Sequence, residues 1–520
     1  MEQNNNKKTV EKRTSIKNSI GRLLLIALLL LVQLFVLTTL LLKISSQYAL
    51  VDGIFRALAL LLVLEINRNE YSMSLKSPFM ILILVMPVAG VLIYLLLGIN
   101  TSTGYMRRRF KEFMNTNRKF ITQEITVIED IDAENREAAN MFRYVSDYAP
   151  YPVYHNTDSV YYSRAEDSYD ALLKDLSTAK KYIFMEYHAI ENKESFAPIL
   201  NILVQKVTEG VDVRILYDDI GSFVFINNDF IKMLNSFGIK CRAFNPMMPF
   251  FNLFLNNRDH RKITIIDGVI SHTGGYNIAN EYFNITHPYG HWKDCGIRIT
   301  GGAVNNFVYM FLEMWNSINK YEKDADSAQF FMKNAIDIDK PSKGYISPFA
   351  DSPIDMEPVG ENVYLNILTN ADYYCWFITP YLILSDELKR AFQLAVKRGV
   401  DVRIIIPGIP DKNMTYRVTH ANVRELLKCG VKIYKYTPGF CHSKLCVADD
   451  LYGVCGTINL DYRSLYHHFE NGVLMYNTPS VMEIKKDIED TFEISKQIPQ
   501  DYKFKTGLID PILRLLSPLL

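Results

Sequence analysis

The phrase Gly-Val-Asp-Val-Arg-Ile occurs twice in this chain, at 210–215 and at 399–404, each time at the same place in a longer pattern. In the first half an apolar strand at 182–187 leads to an amphipathic helix around 199–207 and then to the phrase. In the second half a strand at 376–381 leads to a helix around 388–396 and then to the phrase. A further glycine-led strand follows in each, at 238–241 and 430–433. A six-residue run of strand formers can recur by chance, but a shared order of strand, helix, phrase and strand argues for duplication. Strands alternating with helices of this length predict α/β units with parallel strand pairs, here in two similar lobes.

The two halves are followed by the same charged motif. The first contains His260-Arg261-Lys262 with Asp267, then Gly274-Gly275-Tyr276-Asn277; the second contains His442-Ser443-Lys444 with Asp449, then Gly456-Thr457-Ile458-Asn459. One H-x-K-x4-D match arises by composition in such a chain on the order of a few per cent of the time. Two, each with G-[GT]-x-N at the same offset, are a strong signal. On a strand, residues two apart share a face, so His260 projects with Lys262 and His442 with Lys444. A lone His-x-Lys is usually a surface pair. Two sets facing each other across a pseudo-twofold axis instead surround one point with two imidazoles, two ammonium groups and the amides of Asn277 and Asn459. That assembly suits a phosphodiester: cations and amides hold the non-bridging oxygens, and histidines move protons or attack phosphorus. Asp267 and Asp449 complete the motif but lie an odd number of residues from the histidines, on the opposite strand face, which predicts a structural role.

The first hundred residues are dominated by leucine, isoleucine and valine. The runs 23–42, with Gln33 its strongly polar exception, and 78–99, broken only by Pro87 and Gly90, are each long enough to be read as transmembrane helices. Between them 54–64 is apolar but crowded by Asp52, Arg56 and Glu65, which suits an interfacial or partner-shielded helix. Lys7, Lys8, Lys12, Arg13, Lys17 and Arg22 precede the first run, and Arg107, Arg108, Arg109 and Lys111 follow the second. By the positive-inside rule both flanks face the cytoplasm, giving a multi-pass cell-membrane protein with a cytoplasmic catalytic region. The expected division is a basic N-terminus at 1–22, a membrane region at 23–105, a first lobe at 106–320, a charged connector at 321–343, a second lobe at 344–505 and an amphipathic tail at 506–520. The apolar run 247–255 is read equally as core strand or as a surface that admits acyl chains.

Lysine and arginine number 57, as do aspartate and glutamate, so there is no global basic field and nucleic acid is not an expected partner. The seven cysteines are odd in number and form no C-x-x-C pair, which suggests neither a disulfide framework nor a zinc site.

The paired H-x-K-x4-D motifs resemble those of the phospholipase D superfamily, in which two α/β/α lobes share one active site and need no metal or cofactor. The likeness to bacterial cardiolipin synthases is closer and covers nearly the whole chain. It includes Leu216 through Ser222, Asp259 through Lys262, Gly274 through Glu281, Trp292-Lys293-Asp294, Thr379-Pro380-Tyr381, Pro438 through Lys444, and Asn459 through Ser464. Two departures stand out: Asn280 where aspartate is usual, and His467-His468 where leucine-asparagine is usual.

The resemblance implies transfer of a phosphatidyl group between two phosphatidylglycerol molecules, giving cardiolipin and glycerol through a phosphohistidine. A hydrolase, or a transferase using another alcohol, is the alternative. It further implies that His260 is the nucleophile and His442 the proton carrier, and that Asp294 and Glu470, each on the next apolar strand after the G-[GT]-x-N turn, accept from the histidines' Nδ1. The partners it implies are phosphatidylglycerol and other anionic membrane lipids. Oligomeric state is left open.

Overall fold

In a computed structural model the chain is described over residues 48–69, 72–97, 104–223, 225–226, 229–246, 257–318, 327–331, 343–355 and 357–502, with parts of 28–47. The duplication read from sequence is a duplication of sheets. The first lobe's seven strands run in the order Thr157–Tyr162, Gly296–Gly301, Ile270–Gly274, Lys262–Ile266, Tyr182–Tyr187, Asp212–Asp218, Lys240–Phe244. The second runs in the matching order Tyr345–Asp351, His468–Tyr476, Tyr452–Gly456, Leu445–Ala448, Tyr374–Ile378, Asp401–Pro407, Lys432–Tyr436, with Ser495–Gln497 added at the far edge.

Each sheet is mixed rather than parallel throughout. Tyr182–Tyr187, Asp212–Asp218 and Lys240–Phe244 pair parallel, as the intervening helices Ala197–Thr208 and Phe230–Ser236 require. The motif strand Lys262–Ile266 runs antiparallel to Tyr182–Tyr187 and turns tightly into Ile270–Gly274. The second lobe repeats both features. Both sheets are closed to water on their faces: Ile183, Met185 and Ile215 are buried on one side, while Phe184, Ile263 and Ile265 join the side that packs on the helix Val304–Ile318. That helix is buried along nearly its whole length, and its core cluster continues into the second lobe through Phe349, Ile404 and Val473.

Two short parallel ladders stitch the lobes together and decide the geometry of the site. Arg258–Asp259 pairs with the start of His468–Tyr476, in the register His468 to Arg258 and Phe469 to Asp259. Reciprocally, Gly439–Cys441 pairs with His291–Lys293, in the register Gly439 to His291 and Cys441 to Lys293.

The expectation of transmembrane helices is overturned: no helix among the described residues is long and apolar enough to cross a membrane. The run 78–99 is cut at Met86, where the backbone leaves the helical region (φ −131°, ψ 75°) because Pro87 follows it. The pieces, Met73–Val85 and Pro87–Leu97, have 13 and 11 residues, about 20 and 16 Å at 1.5 Å per residue against the roughly 30 Å of a hydrocarbon core. They fold back on each other so closely that a Cβ on Gly90 would lie 2.6 Å from the Ile83 backbone. The segment 54–64 belongs to the helix Ala49–Arg68, whose Ala59, Val63 and Ile66 are shielded against the other two helices and against Ile383, Val418 and Tyr462 of the second lobe. Asp52, Arg56, Glu65 and Arg68 make that helix too charged to span. Parts of the run 23–42, most of the connector 321–343, and the whole of the apolar run 247–255 and of the tail 506–520 lie outside the described residues. With no spanning helix among the described residues, the multi-pass topology and the positive-inside assignment that rests on it find no support there.

Candidate active site

Where the two interlobe ladders end, each motif histidine becomes the next residue along. The N–H of His260 donates to the carbonyl of Phe469 at 2.9 Å, and that of His442 to the carbonyl of Lys293 at 2.7 Å. A parallel ladder sets neighbours in register, so the residue after Phe469 stands beside His260 and the residue after Lys293 beside His442. Those residues are Glu470 and Asp294. The pairing is therefore crossed: His260 Nδ1 lies 2.9 Å from both Glu470 carboxylate oxygens, and His442 Nδ1 lies 2.7 Å from Asp294 Oδ2. Each lobe supplies the carboxylate for the other lobe's histidine. With Nδ1–H donating to the carboxylate, Nε2 keeps the lone pair, and both rings line one cavity of about 350 Å³ between the lobes.

The variable position of the G-[GT]-x-N turn is explained by these carboxylates. In the first lobe Asp294 packs against Gly275, where a Cβ would lie 2.0 Å from Oδ1. In the second, Thr457 takes the place of that glycine, and its hydroxyl donates to Glu470 Oε2 while Ser464 Oγ donates to Oε1. One lobe makes room for its acid; the other binds it.

Lys262 and Lys444 are both almost wholly buried beside the histidines. Lys262 Nζ donates to the His260 carbonyl at 2.7 Å, and Lys444 Nζ to the His442 carbonyl. Burial pulls Lys262 down to about 7 and Lys444 to about 8, the nearby carboxylates Glu470 and Asp294 respectively opposing it. Burial also holds His442 down to about 3, with Lys444 acting in the same direction and Asp294 against it. His260 is likewise pushed well below the usual imidazole value by burial and Lys262. Burial works against the charge on Asp294, but His442 and Lys444 outweigh it and hold the acid below its ordinary value. Burial raises Glu470, opposed by Lys262 and the two hydroxyls. This is an anion hole, in which a bound phosphodiester would favour the charged forms of the two lysines and of one histidine.

Asn277 and Asn459 both line the cavity but are not equivalent. Asn277 accepts from the Ala189 N–H at 3.1 Å and donates to the Tyr282 hydroxyl at 2.8 Å. Asn459 Oδ1 is buried without a hydrogen-bond partner among the described residues. Asp267 and Asp449 do not reach the cavity. Each sits in a turn at positive φ, 54° and 52°, and accepts from three successive backbone N–H groups: Lys180, Lys181 and Tyr182 in the first case, Asp372, Tyr373 and Tyr374 in the second. The motif aspartate thus pins its turn to the start of the neighbouring strand and, though it completes the motif, does not meet the histidine, lysine and asparagine set.

Sequence reading did not single out His188, Tyr282, Asp411 or Lys412, which also line the cavity, as does Tyr381 of the Thr379-Pro380-Tyr381 run. His188 follows directly on the strand Tyr182–Tyr187, and the carboxyl end of a parallel strand is where α/β sheets place ligands, so its position carried a signal. His442 sits among Tyr282, Trp292 and Phe440, with ring centroids at 5.3, 5.2 and 5.7 Å. Of the two departures from the family pattern, Asn280 is structural: its amide donates to Glu194 at 2.6 Å, which an aspartate would not do. His468 lies in the cavity wall, its ring 5.5 Å from that of His260.

Two duplicated α/β lobes that bring paired H-x-K motifs to one cavity define a phospholipase D-like enzyme. A family model described as "Cardiolipin synthase, PLD-like domain" matches residues 172–292 and 364–493, one stretch in each lobe. The chain is 30% identical to a cardiolipin synthase of Alkalihalophilus pseudofirmus over 84% of its own length and 86% of the relative's. It is 31% identical to cardiolipin synthase 2 of Bacillus cereus over 85% and 86%. The fold resembles that of a phosphatidylserine synthase from Haemophilus influenzae, with a TM-score of 0.54 at 15% identity, covering 69% of this chain and 91% of that one. The chain belongs to the cardiolipin synthase family of phospholipase D-like phosphatidyltransferases.

Proposed function

We propose that the protein joins two phosphatidylglycerol molecules into cardiolipin, releasing glycerol. The observation that carries this reading is the pair of imidazoles lining one cavity, each backed by a carboxylate of the opposite lobe and each with a buried lysine beside it. His260 Nε2 attacks phosphorus of the first lipid while Lys262, Lys444 and the two asparagine amides hold the non-bridging oxygens. The P–O bond to glycerol breaks, and His442 gives that oxygen its proton. His442 then takes the proton from a head-group hydroxyl of the second lipid, whose oxygen displaces His260 from phosphorus. The relatives' names support cardiolipin as the product, and no step as written calls on a cofactor.

Lipid substrates are drawn from a bilayer surface in this reading. The helix Ala49–Arg68 supports it, since Leu58, Leu60, Leu61 and Leu64 are exposed on a unit packed against Ile383 and Tyr462 of the cavity wall. The test is incubation of purified protein with labelled phosphatidylglycerol and separation of the products. Cardiolipin with equimolar glycerol is expected; phosphatidic acid without cardiolipin would reassign the protein as a hydrolase.

A further inference from the structure

Glu470 faces a second imidazole besides His260. His468 Nδ1 lies 3.5 Å from Glu470 Oε1 and, though buried, has no hydrogen-bond partner among the described residues. One ligand atom from each of His260, His468 and Glu470 lies within 4.8 Å of the others, the only group of three or more such side chains among the described residues close enough to share a metal ion. Tetrahedral zinc with bonds of about 2.0–2.1 Å places its ligands about 3.3 Å apart, and two imidazoles with one carboxylate are a known zinc donor set. Two edges of that tetrahedron stand close to this value already, at 2.9 Å from His260 to Glu470 and 3.5 Å from His468 to Glu470. The remaining edge closes by a swing of His468, whose side chain is still 13% exposed. The Thr457 and Ser464 hydroxyls would keep the carboxylate oriented, as outer partners of metal ligands do.

We propose that His260, His468 and Glu470 form an inhibitory site for a divalent transition metal ion of the zinc type. The inhibitory part rests on the reading of His260 as nucleophile. Coordination through His260 Nδ1 shifts the ring's one proton by way of solvent from Nδ1, where Glu470 holds it, to Nε2, leaving a neutral imidazole bound at Nδ1. The lone pair that attacks phosphorus is thereby lost.

The surroundings select the ion. Lys262 is beside His260, and Arg463 Nε approaches His468 Nε2 at 3.4 Å, a long contact that must be released on binding. A positive field with mostly nitrogen donors excludes magnesium and calcium, which depend on oxygen ligands and charge, and admits ions that bind imidazole strongly. His468 stands where the resemblance leads one to expect asparagine.

The experiment uses untagged full-length protein. Cobalt(II) serves as the spectroscopic probe, zinc as its competitor, and transfer from phosphatidylglycerol vesicles is measured in zinc, in magnesium and in chelator. The expected results are visible cobalt bands of low-symmetry nitrogen and oxygen coordination, displaced by zinc, with transfer lost in zinc, kept in magnesium and recovered by chelator. His468→Asn should weaken cobalt and zinc binding at least tenfold and relieve inhibition, scored against that variant's own rate in chelator; His272→Asn, in a separate buried pair with Asp175, should change neither. Cobalt bands unchanged in His468→Asn overturn the site. Zinc bound at this site with transfer undiminished overturns the inhibition. Should the chain make no cardiolipin at all, the cobalt titration still decides the site independently of the proposed reaction.

Discussion

His260 and Glu470, 210 residues apart and in different lobes, share a hydrogen bond in which both carboxylate oxygens stand 2.9 Å from Nδ1. In the proposed reaction, each half then depends on the acid of the other lobe. Glu470→Gln should impair formation of the covalent intermediate on His260, and Asp294→Asn should impair proton transfer by His442. Each should lower phosphatidylglycerol turnover by roughly 10² to 10⁴ by analogy with triad carboxylates. A nitrophenyl phosphodiester, whose leaving group needs no proton, separates them: Asp294→Asn should still yield an acid-labile adduct on rapid quench and mass spectrometry, and Glu470→Gln should yield far less. The opposite pattern would show that the histidine roles are reversed.

Gly275 leaves the space that Asp294 fills. Gly275→Ala would put a methyl group within 2.0 Å of Oδ1, so the carboxylate must move and His442 loses its anchor. Turnover should fall at least as far as in Asp294→Asn while the melting temperature falls only modestly. In the second lobe the equivalent change is Thr457→Val, which removes a donor to Glu470 and should cost about 1–3 kcal/mol. Full activity of Gly275→Ala would mean that Asp294 does not hold His442 during turnover.

The pH profile follows from the lysines. Lys262 at about 7 and Lys444 at about 8 lose their protons as pH rises, and with them the charge that binds the phosphodiester, so kcat/KM should fall through that interval. A bound anion favours the ammonium forms and should move the same limb of kcat to higher pH. The histidines, held low by burial, place the acid limb below their ordinary range. Profiles of both parameters with a short-chain phosphatidylglycerol test this; coincident alkaline limbs in kcat and kcat/KM would argue against it.

Asp267 and Asp449 should behave as structural residues. Asp267→Ala strips the acceptor from three backbone N–H groups and places a Cβ residue less tolerant of positive φ in the turn, which should cost roughly 1–3 kcal/mol in denaturant unfolding. Asp267→Asn, which tolerates that backbone and still accepts, should cost less. Neither should change the pH profile of the folded enzyme; a shift in it would tie the aspartate to the histidine chemistry.

Much of this was legible in the residues because it is local. Strand alternation put His260 with Lys262 and His442 with Lys444 and set Asp267 and Asp449 apart, and repeated order exposed the two lobes. Which acid serves which histidine was not legible, because the two ladders that set it join segments some 150 to 210 residues apart. The apolar run 78–99 misled for a related reason: hydropathy measures composition over a window, whereas Met86 before Pro87 ends the helix by backbone sterics, and packing against Ile83 folds the remainder back.

By itself, then, the chain's local pattern determined the duplicated α/β lobes, the residues of the anion hole and the structural place of the motif aspartates, since each follows from periodicity over a few residues. Tertiary structure alone decided the crossed carboxylates, the gathering of His188 and His468 around His260, and the folded-back helices on the second lobe. Those depend on register between distant strands and on close contact between backbones, and neither quantity is encoded at any one stretch of sequence.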